Sequence, residues 1–231
     1  MHRLWLVLCF CFGLFFTAAA LAAPQQVKAV YHATRNGQPF ATVTETFQQQ
    51  GGRYRIESVT EGIGIYGLFG KRRLLSEGEV TPQGLRPLHF ELQQGDSAKK
   101  AVSADFDWEA KTLAMTSKGN TSSAPLEEGT QDLLSYAYQF MFRPPQGEDI
   151  SLSVTTGKKL RVYQYRVAEK ETSAETAAGN FKAVHLANGA ADGDENKELW
   201  LGVEKNHIVV RISMKENGAR VEQTLSSLHV E

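Results

Sequence analysis

Cysteine is almost missing from this chain. Of its 231 residues only Cys9 and Cys11 are cysteines, and both lie within the first 22. From residue 23 onward no disulfide, thiol nucleophile, thiol redox couple or thiolate metal ligand is available. An excess of one charge is missing too. There are 25 Lys and Arg against 26 Asp and Glu, a formal net charge of −1, which gives no reason to expect nucleic acid as a partner. Long apolar runs are confined to Leu4–Phe16, 13 residues, where a membrane span needs about 20.

That run follows His2 and Arg3 and precedes small residues, so it reads as an export signal peptide rather than a transmembrane anchor. Ala20-Leu21-Ala22 meets the small-x-small rule and sets cleavage between Ala22 and Ala23. One residue later, Pro24 would follow the scissile bond. A lipoprotein leader needs a small residue before its cysteine, but Leu8 precedes Cys9 and Phe10 precedes Cys11. The expected organisation is a signal peptide over 1–22 and a single β-rich domain over 23–231. Removing 22 residues leaves 209, enough to bury a core without covalent staples.

The remainder is rich in turn signals, among them Asn36-Gly37, Gly51-Gly52, Pro82-Gln83-Gly84, Lys118-Gly119-Asn120 and Asn217-Gly218. Segments of period two lie between them. Tyr54, Ile56 and Ser58 alternate with Arg53, Arg55 and Glu57. Leu88, Phe90 and Leu92 alternate with His89, Glu91 and Gln93. Val102, Ala104, Phe106 and Trp108 alternate with Ser103, Asp105 and Asp107. One apolar and one wet face is the antiparallel pattern. A two-residue turn at Asn217-Gly218 pairs Met214 with Val221, Ile212 with Gln223 and Arg211 with Thr224.

One segment departs from this period. Asp132 is placed to cap a helix over 133–142, and Pro144-Pro145 stops it. Its two apolar stripes, Leu133/Ala137/Phe140/Met141 and Leu134/Tyr138/Phe142, require cover on both sides. The expected fold is therefore mainly β: an antiparallel curved sheet or open β-barrel with one apolar helix packed on or capping the concave side.

Candidate chemistry is sparse. Gly62-Ile63-Gly64-Ile65-Tyr66-Gly67 matches GxGxxG, but no convincing helix opens after it to meet a pyrophosphate. The same corner puts Ile63, Ile65, Tyr66, Leu68 and Phe69 beside Lys71-Arg72-Arg73. The favoured reading is a glycine-bent strand corner whose apolar residues are core; the alternative is an apolar loop that touches lipid, gates a cavity or docks a partner. Ser97-Ala98-Lys99-Lys100 matches the Ser-x-x-Lys of acylating enzymes but falls in a turn without companion motifs. Asp105 and Asp107 read as solvated hairpin residues rather than an acid–base pair. His207 and His229 point to opposite faces and are poor metal partners. Asp192-Gly193-Asp194-Glu195-Asn196 reads as a solvated acidic loop, with calcium as the alternative, because Lys197 and Val203 stand where a calcium loop needs Gly and Glu.

Several strings, taken in order, resemble a known family. They are Tyr54 in an early strand, Ser76-Glu77-Gly78, Leu85-Arg86-Pro87, Phe106-Asp107-Trp108, Gln131-Asp132-Leu133-Leu134-Ser135, Thr176-Ala177-Ala178-Gly179-Asn180-Phe181, and Trp200-Leu201 before His207–Ile212. Together they resemble the exported bacterial proteins of domain of unknown function 3108. The resemblance implies a Gram-negative periplasmic β-protein with no established activity, cofactor or catalytic residues. Where that family often has proline, this chain has Val209, from which a more continuous last long strand is expected.

The functional expectation is a non-enzymatic periplasmic protein that binds an apolar or amphiphilic ligand, such as a lipid, or a cell-envelope component. Candidate lining residues are Ile65, Tyr66, Phe69, Tyr136, Phe140 and Trp200. The competing readings are an envelope assembly factor acting through protein–protein contacts and, behind it, a hydrolase. No cofactor or metal site is implied.

Overall fold

The computed structural model describes residues 23–95, 101–188, 196–216 and 218–231. The expected leader with Ala22, the Ser97–Lys100 motif, most of the acidic loop 192–196 and Asn217 lie outside the described residues. Fifteen strands form one sheet. Its first arm is β1 (Gln26–Arg35), β2 (Gln38–Gln50), β3 (Arg53–Gly62), β4 (Arg72–Thr81), β5 (Gly84–Gln94), β6 (Val102–Asp107), β7 (Thr112–Ser117) and β8 (Asn120–Pro125). A two-residue strand β9 (Gln131–Asp132) and the helix α1 (Ser135–Phe142) follow. The second arm is β10 (Asp149–Thr155), β11 (Leu160–Thr176), β12 (Gly179–Asn188), β13 (Lys197–Gly202), β14 (Ile208–Glu216) and β15 (Ala219–Val230).

Each arm is an antiparallel meander, and pairing of β1 with β15 joins them at the middle of the sheet. At one end β9 pairs with β10 in parallel. The other end is β8, so the ladder is open. The alternation at the start of β3 holds: Tyr54, Ile56 and Ser58 are buried while Arg53, Arg55 and Glu57 are exposed. The register of the last hairpin is also as the turn dictates, with Arg211 opposite Thr224, Ile212 opposite Gln223 and Met214 opposite Val221.

Bulges sharpen the curl of the sheet. They occur between Val30 and Tyr31, twice in β11 between Val167 and Thr172, and between Trp200 and Leu201 opposite β14. The last of these corrects an expectation. Replacing proline with Val209 does not give β14 an unbroken ladder: Trp200 pairs with Arg211 and Leu201 with Val209, so Val210 is the extra residue. Ile208, Val209 and Val210 are all buried there, which plain alternation does not provide.

The helix lies inside the curl. It starts at Ser135, two residues after the expected Leu133, because Asp132 caps from a short strand and residues 133–134 form a turn. Leu134, Tyr138 and Met141 pack into a core with Phe47, Ile56, Phe90 and Leu113 of the first arm. Tyr136 and Phe140 pack into a second core with Tyr165, Leu186, Leu199 and Leu201 of the second arm. The apolar stripes of the helix are thus shared between the two arms.

Candidate functional site

The placement of the helix rests on a buried polar cluster. Ser76 Oγ donates to Asp132 Oδ2 (2.6 Å), while Asp132 Oδ1 accepts from the backbone N–H groups of Leu134 (2.8 Å) and Ser135 (2.9 Å). In return the N–H of Asp132 donates to Ser135 Oγ (2.9 Å), a reciprocal cap. Because the one proton of Ser76 goes to the carboxylate, the Tyr54 hydroxyl donates to Ser76 at 3.1 Å. Burial still pushes the Asp132 carboxyl above its ordinary pKa despite these donors. Gly78 lies beneath Tyr54; a Cβ there would overlap the Arg86 carbonyl and stand 2.7 Å from the Tyr54 ring. Trp108 Nε1 donates to the Pro87 carbonyl (2.7 Å), and Arg86 stacks on the Trp108 ring at 4.8 Å. Five of the recognised strings therefore converge on one buttress around the start of the helix.

Beside the helix, between it and the two arms, is a cavity of about 720 Å³. Tyr31, Val43, Leu134, Tyr136, Ala137, Met141, Val209 and Ile212 give it an apolar wall. Among the described residues one carboxylate reaches it, Glu45, which accepts from Tyr138 (3.1 Å) and Ser58 (3.2 Å). Burial outweighs those two donors and raises its pKa.

The other charged lining residues among those described are all cationic: Arg72, Lys158, Lys159, Arg161, Lys197 and Lys215. They sit at strand ends, on the side of the sheet where β3 runs to β4, β10 turns to β11 and β14 turns to β15. Lys158, Lys159 and Lys215 are exposed. Lys197 caps the aromatic wall, with its ammonium 4.6 Å above the Tyr136 ring and 5.6 Å above that of Tyr163.

The six candidate lining residues take different places. Tyr136 lines the cavity. Phe140 is buried in the core of the second arm. Trp200 is buried in a third core, with His185 stacked at 4.3 Å and Arg211 at 4.8 Å. Ile65, Tyr66 and Phe69 lie on a 3-10 helix, Gly64–Phe69, in which no residue is buried. This corrects the packed-corner reading: Ile65 is 72% exposed, Leu68 86% and Phe69 69%. The GxGxxG glycines serve this corner and open no α-helix.

Other polar candidates have structural partners. Asp105 pairs with His89 at 2.7 Å on the surface, and Asp107 caps the β6–β7 turn through the Ala110 N–H (2.8 Å). His229 pairs with Glu231. Among the described residues no three His, Asp or Glu side chains are grouped to hold a metal. The sequence reading did not single out Glu45, Lys158, Lys159, Arg161, Lys197 or Lys215. Its one available signal was the basic run around Lys158 beside the Thr156-Gly157 turn.

Comparison with known proteins bears on the fold. A family described as protein of unknown function, DUF3108, matches residues 29–225. No curated protein matches the chain. Among solved structures, a beta-barrel-like protein of domain of unknown function DUF1849 from Brucella abortus matches at TM-score 0.57 and 11% identity, over 90% of this chain and 98% of that one. A protein from Bacteroides fragilis, described as exported and as having a YmcC-like fold, matches at TM-score 0.40 and 8% identity, over 89% and 96%. The Brucella likeness supports the open, curled architecture. None of these matches names a catalytic activity or a ligand. Among the described residues no helix is long and apolar enough to cross a membrane.

Proposed function

The chain belongs to the DUF3108 family of proteins of unknown function, and we propose that it is a periplasmic binding protein for an amphiphile with an acidic head. The observation that carries this is the polarity of the cavity: aromatic and aliphatic walls inside and, among the described residues, six cations to one carboxylate around the lining. The volume, about 720 Å³, falls within the range of small-molecule sites. Each buried methylene contributes about 0.8 kcal/mol, whereas an exposed ion pair contributes at most about 1 kcal/mol. The apolar tail would therefore supply most of the affinity, and the basic rim would select the sign of the head and its orientation. The leader over 1–22 supports export.

The test compares three ligands of one chain length by calorimetry on the mature protein: dodecanoate, dodecanol and dodecyltrimethylammonium. Dodecanoate is expected to bind tightest, and Lys158→Glu/Lys159→Glu to weaken it at least tenfold with little effect on dodecanol. Tighter binding of the cationic amphiphile, or no binding of any, overturns the reading.

A further inference from the structure

We propose that the corner Gly62–Arg73 is a membrane-docking element that seats the cavity mouth on an anionic lipid surface. Among the described residues eight large hydrophobic side chains are exposed, and five of them, Ile63, Ile65, Tyr66, Leu68 and Phe69, are in this corner. A soluble domain seldom leaves such a cluster in water without a partner for it.

The corner has a fixed shape. A Cβ on Gly62 would overlap the Tyr66 carbonyl, and one on Gly70, at φ +72°, would stand 2.9 Å from Gly95 Cα. Gln94 Nε2 donates to the carbonyls of Phe69 (3.1 Å) and Gly70 (3.3 Å). The apolar side chains are thus presented on a supported backbone.

Charge selects the partner. Residues 61–73 carry Lys71, Arg72 and Arg73 against Glu61 alone, and Glu61 is ion-paired with Lys71. An apolar tip with a basic base complements an anionic bilayer, where apolar groups enter below the headgroups and cations meet phosphates. The corner also adjoins the cavity. Its Ile63 N–H donates to the Phe40 carbonyl (2.8 Å), Tyr66 packs edge-on to Phe40 at 5.6 Å, and Phe40, Thr60 and Arg72 line the cavity. Docking through this corner turns the basic mouth toward the headgroups. The docking stands without a cavity ligand; exchange of an amphiphile with the bilayer rests on the function proposed above.

The experiment is flotation of the mature protein with vesicles of phosphatidylcholine, with and without an equal share of phosphatidylglycerol. The wild-type protein is expected to float with the anionic vesicles, less so at high salt. Leu68→Glu/Phe69→Glu should lower that binding at least tenfold, and Arg73→Glu severalfold. Dodecanoate affinity should not change in the double variant, which separates this surface from the cavity. Leu68→Trp gives a second readout: its fluorescence should be quenched by brominated acyl chains beyond that of the wild type. Failure of the wild type to float, flotation unaffected by Leu68→Glu/Phe69→Glu, or no added quenching in Leu68→Trp overturns the proposal.

Discussion

Asp132 does two jobs with one carboxylate: Oδ1 caps the helix and Oδ2 accepts from Ser76 on β4. Replacement by alanine removes the cap and leaves buried donors unpaired, at an expected cost of about 2–3 kcal/mol. Asn keeps the capping oxygen, and Ser76 can turn to accept from the new amide. Asp132→Asn should therefore lose less than half of what Asp132→Ala loses in urea denaturation; equal losses would mean that the charge, not the cap, is what matters.

Glu45 makes a second prediction at this scale. Burial raises its carboxyl above the ordinary value of 4.5 in the folded protein, so between the unfolded and folded pKa values the native state holds more protons than the unfolded one. Stability then falls as pH rises through that window, and the cost of ionising Glu45 is complete above the folded pKa. Buried Asp132 has the same sign, so the wild-type slope alone cannot be assigned. Glu45→Gln removes one contribution. Relative to wild type it should gain stability as pH rises from about 4 to 8, and gain little below the unfolded pKa. A variant less stable than wild type at pH 8 would contradict this.

At the scale of elements, legibility in the sequence followed range. The strand Arg53–Gly62, the Asn217-Gly218 hairpin and the helix stop at Pro144 are local, and period, turn residues and proline disclosed them. The bulge at Val210 is set by the partner strand, and nothing in Ile208-Val209-Val210-Arg211 signals it. The Gly62–Gly70 corner misled for a related reason. An apolar composition ordinarily means core, but the short 3-10 turn leaves none of its side chains buried. The cavity was least legible. Its tyrosines come from β1, α1 and β11, and its cations from β4, β11, β13, β14 and the β10–β11 turn. These groups meet only because the sheet curls round the helix. Tyr136 could be anticipated because it stands on the one element apolar on both sides; Glu45, on a strand among Thr44 and Thr46, could not.

For the whole molecule, the governing fact is that a fifteen-strand sheet curls far enough for its arms to meet but does not close by strand pairing. Side chains close it. Gln131 Nε2 donates to the Leu85 carbonyl (2.9 Å). Gln139 Oε1 accepts from the Leu85 N–H (2.6 Å), and its Nε2 donates to Gln83 (3.0 Å). Gly84, at φ +100°, leaves room for that amide, since a Cβ would overlap it. Farther along, Gly157 of the β10–β11 turn fits against Val102 and Phe90, where a Cβ would stand 3.0 Å from a Val102 methyl. The β1–β15 seam, by contrast, is a long backbone ladder. Seam and clasp should therefore open at different free energies. Gln131→Ala/Gln139→Ala removes these three hydrogen bonds, and a fourth from Gln131 to the Gly129 carbonyl, and leaves the Leu85 N–H unpaired, an expected loss of about 3 kcal/mol. In native-state hydrogen exchange the amides of Leu85, β9 and α1 should then exchange faster, while those of β1 and β15 keep their protection until global unfolding. Equal acceleration at the seam would mean that the curl is set by the ladder and its bulges alone, and that the two glutamines merely rest on a shape already fixed.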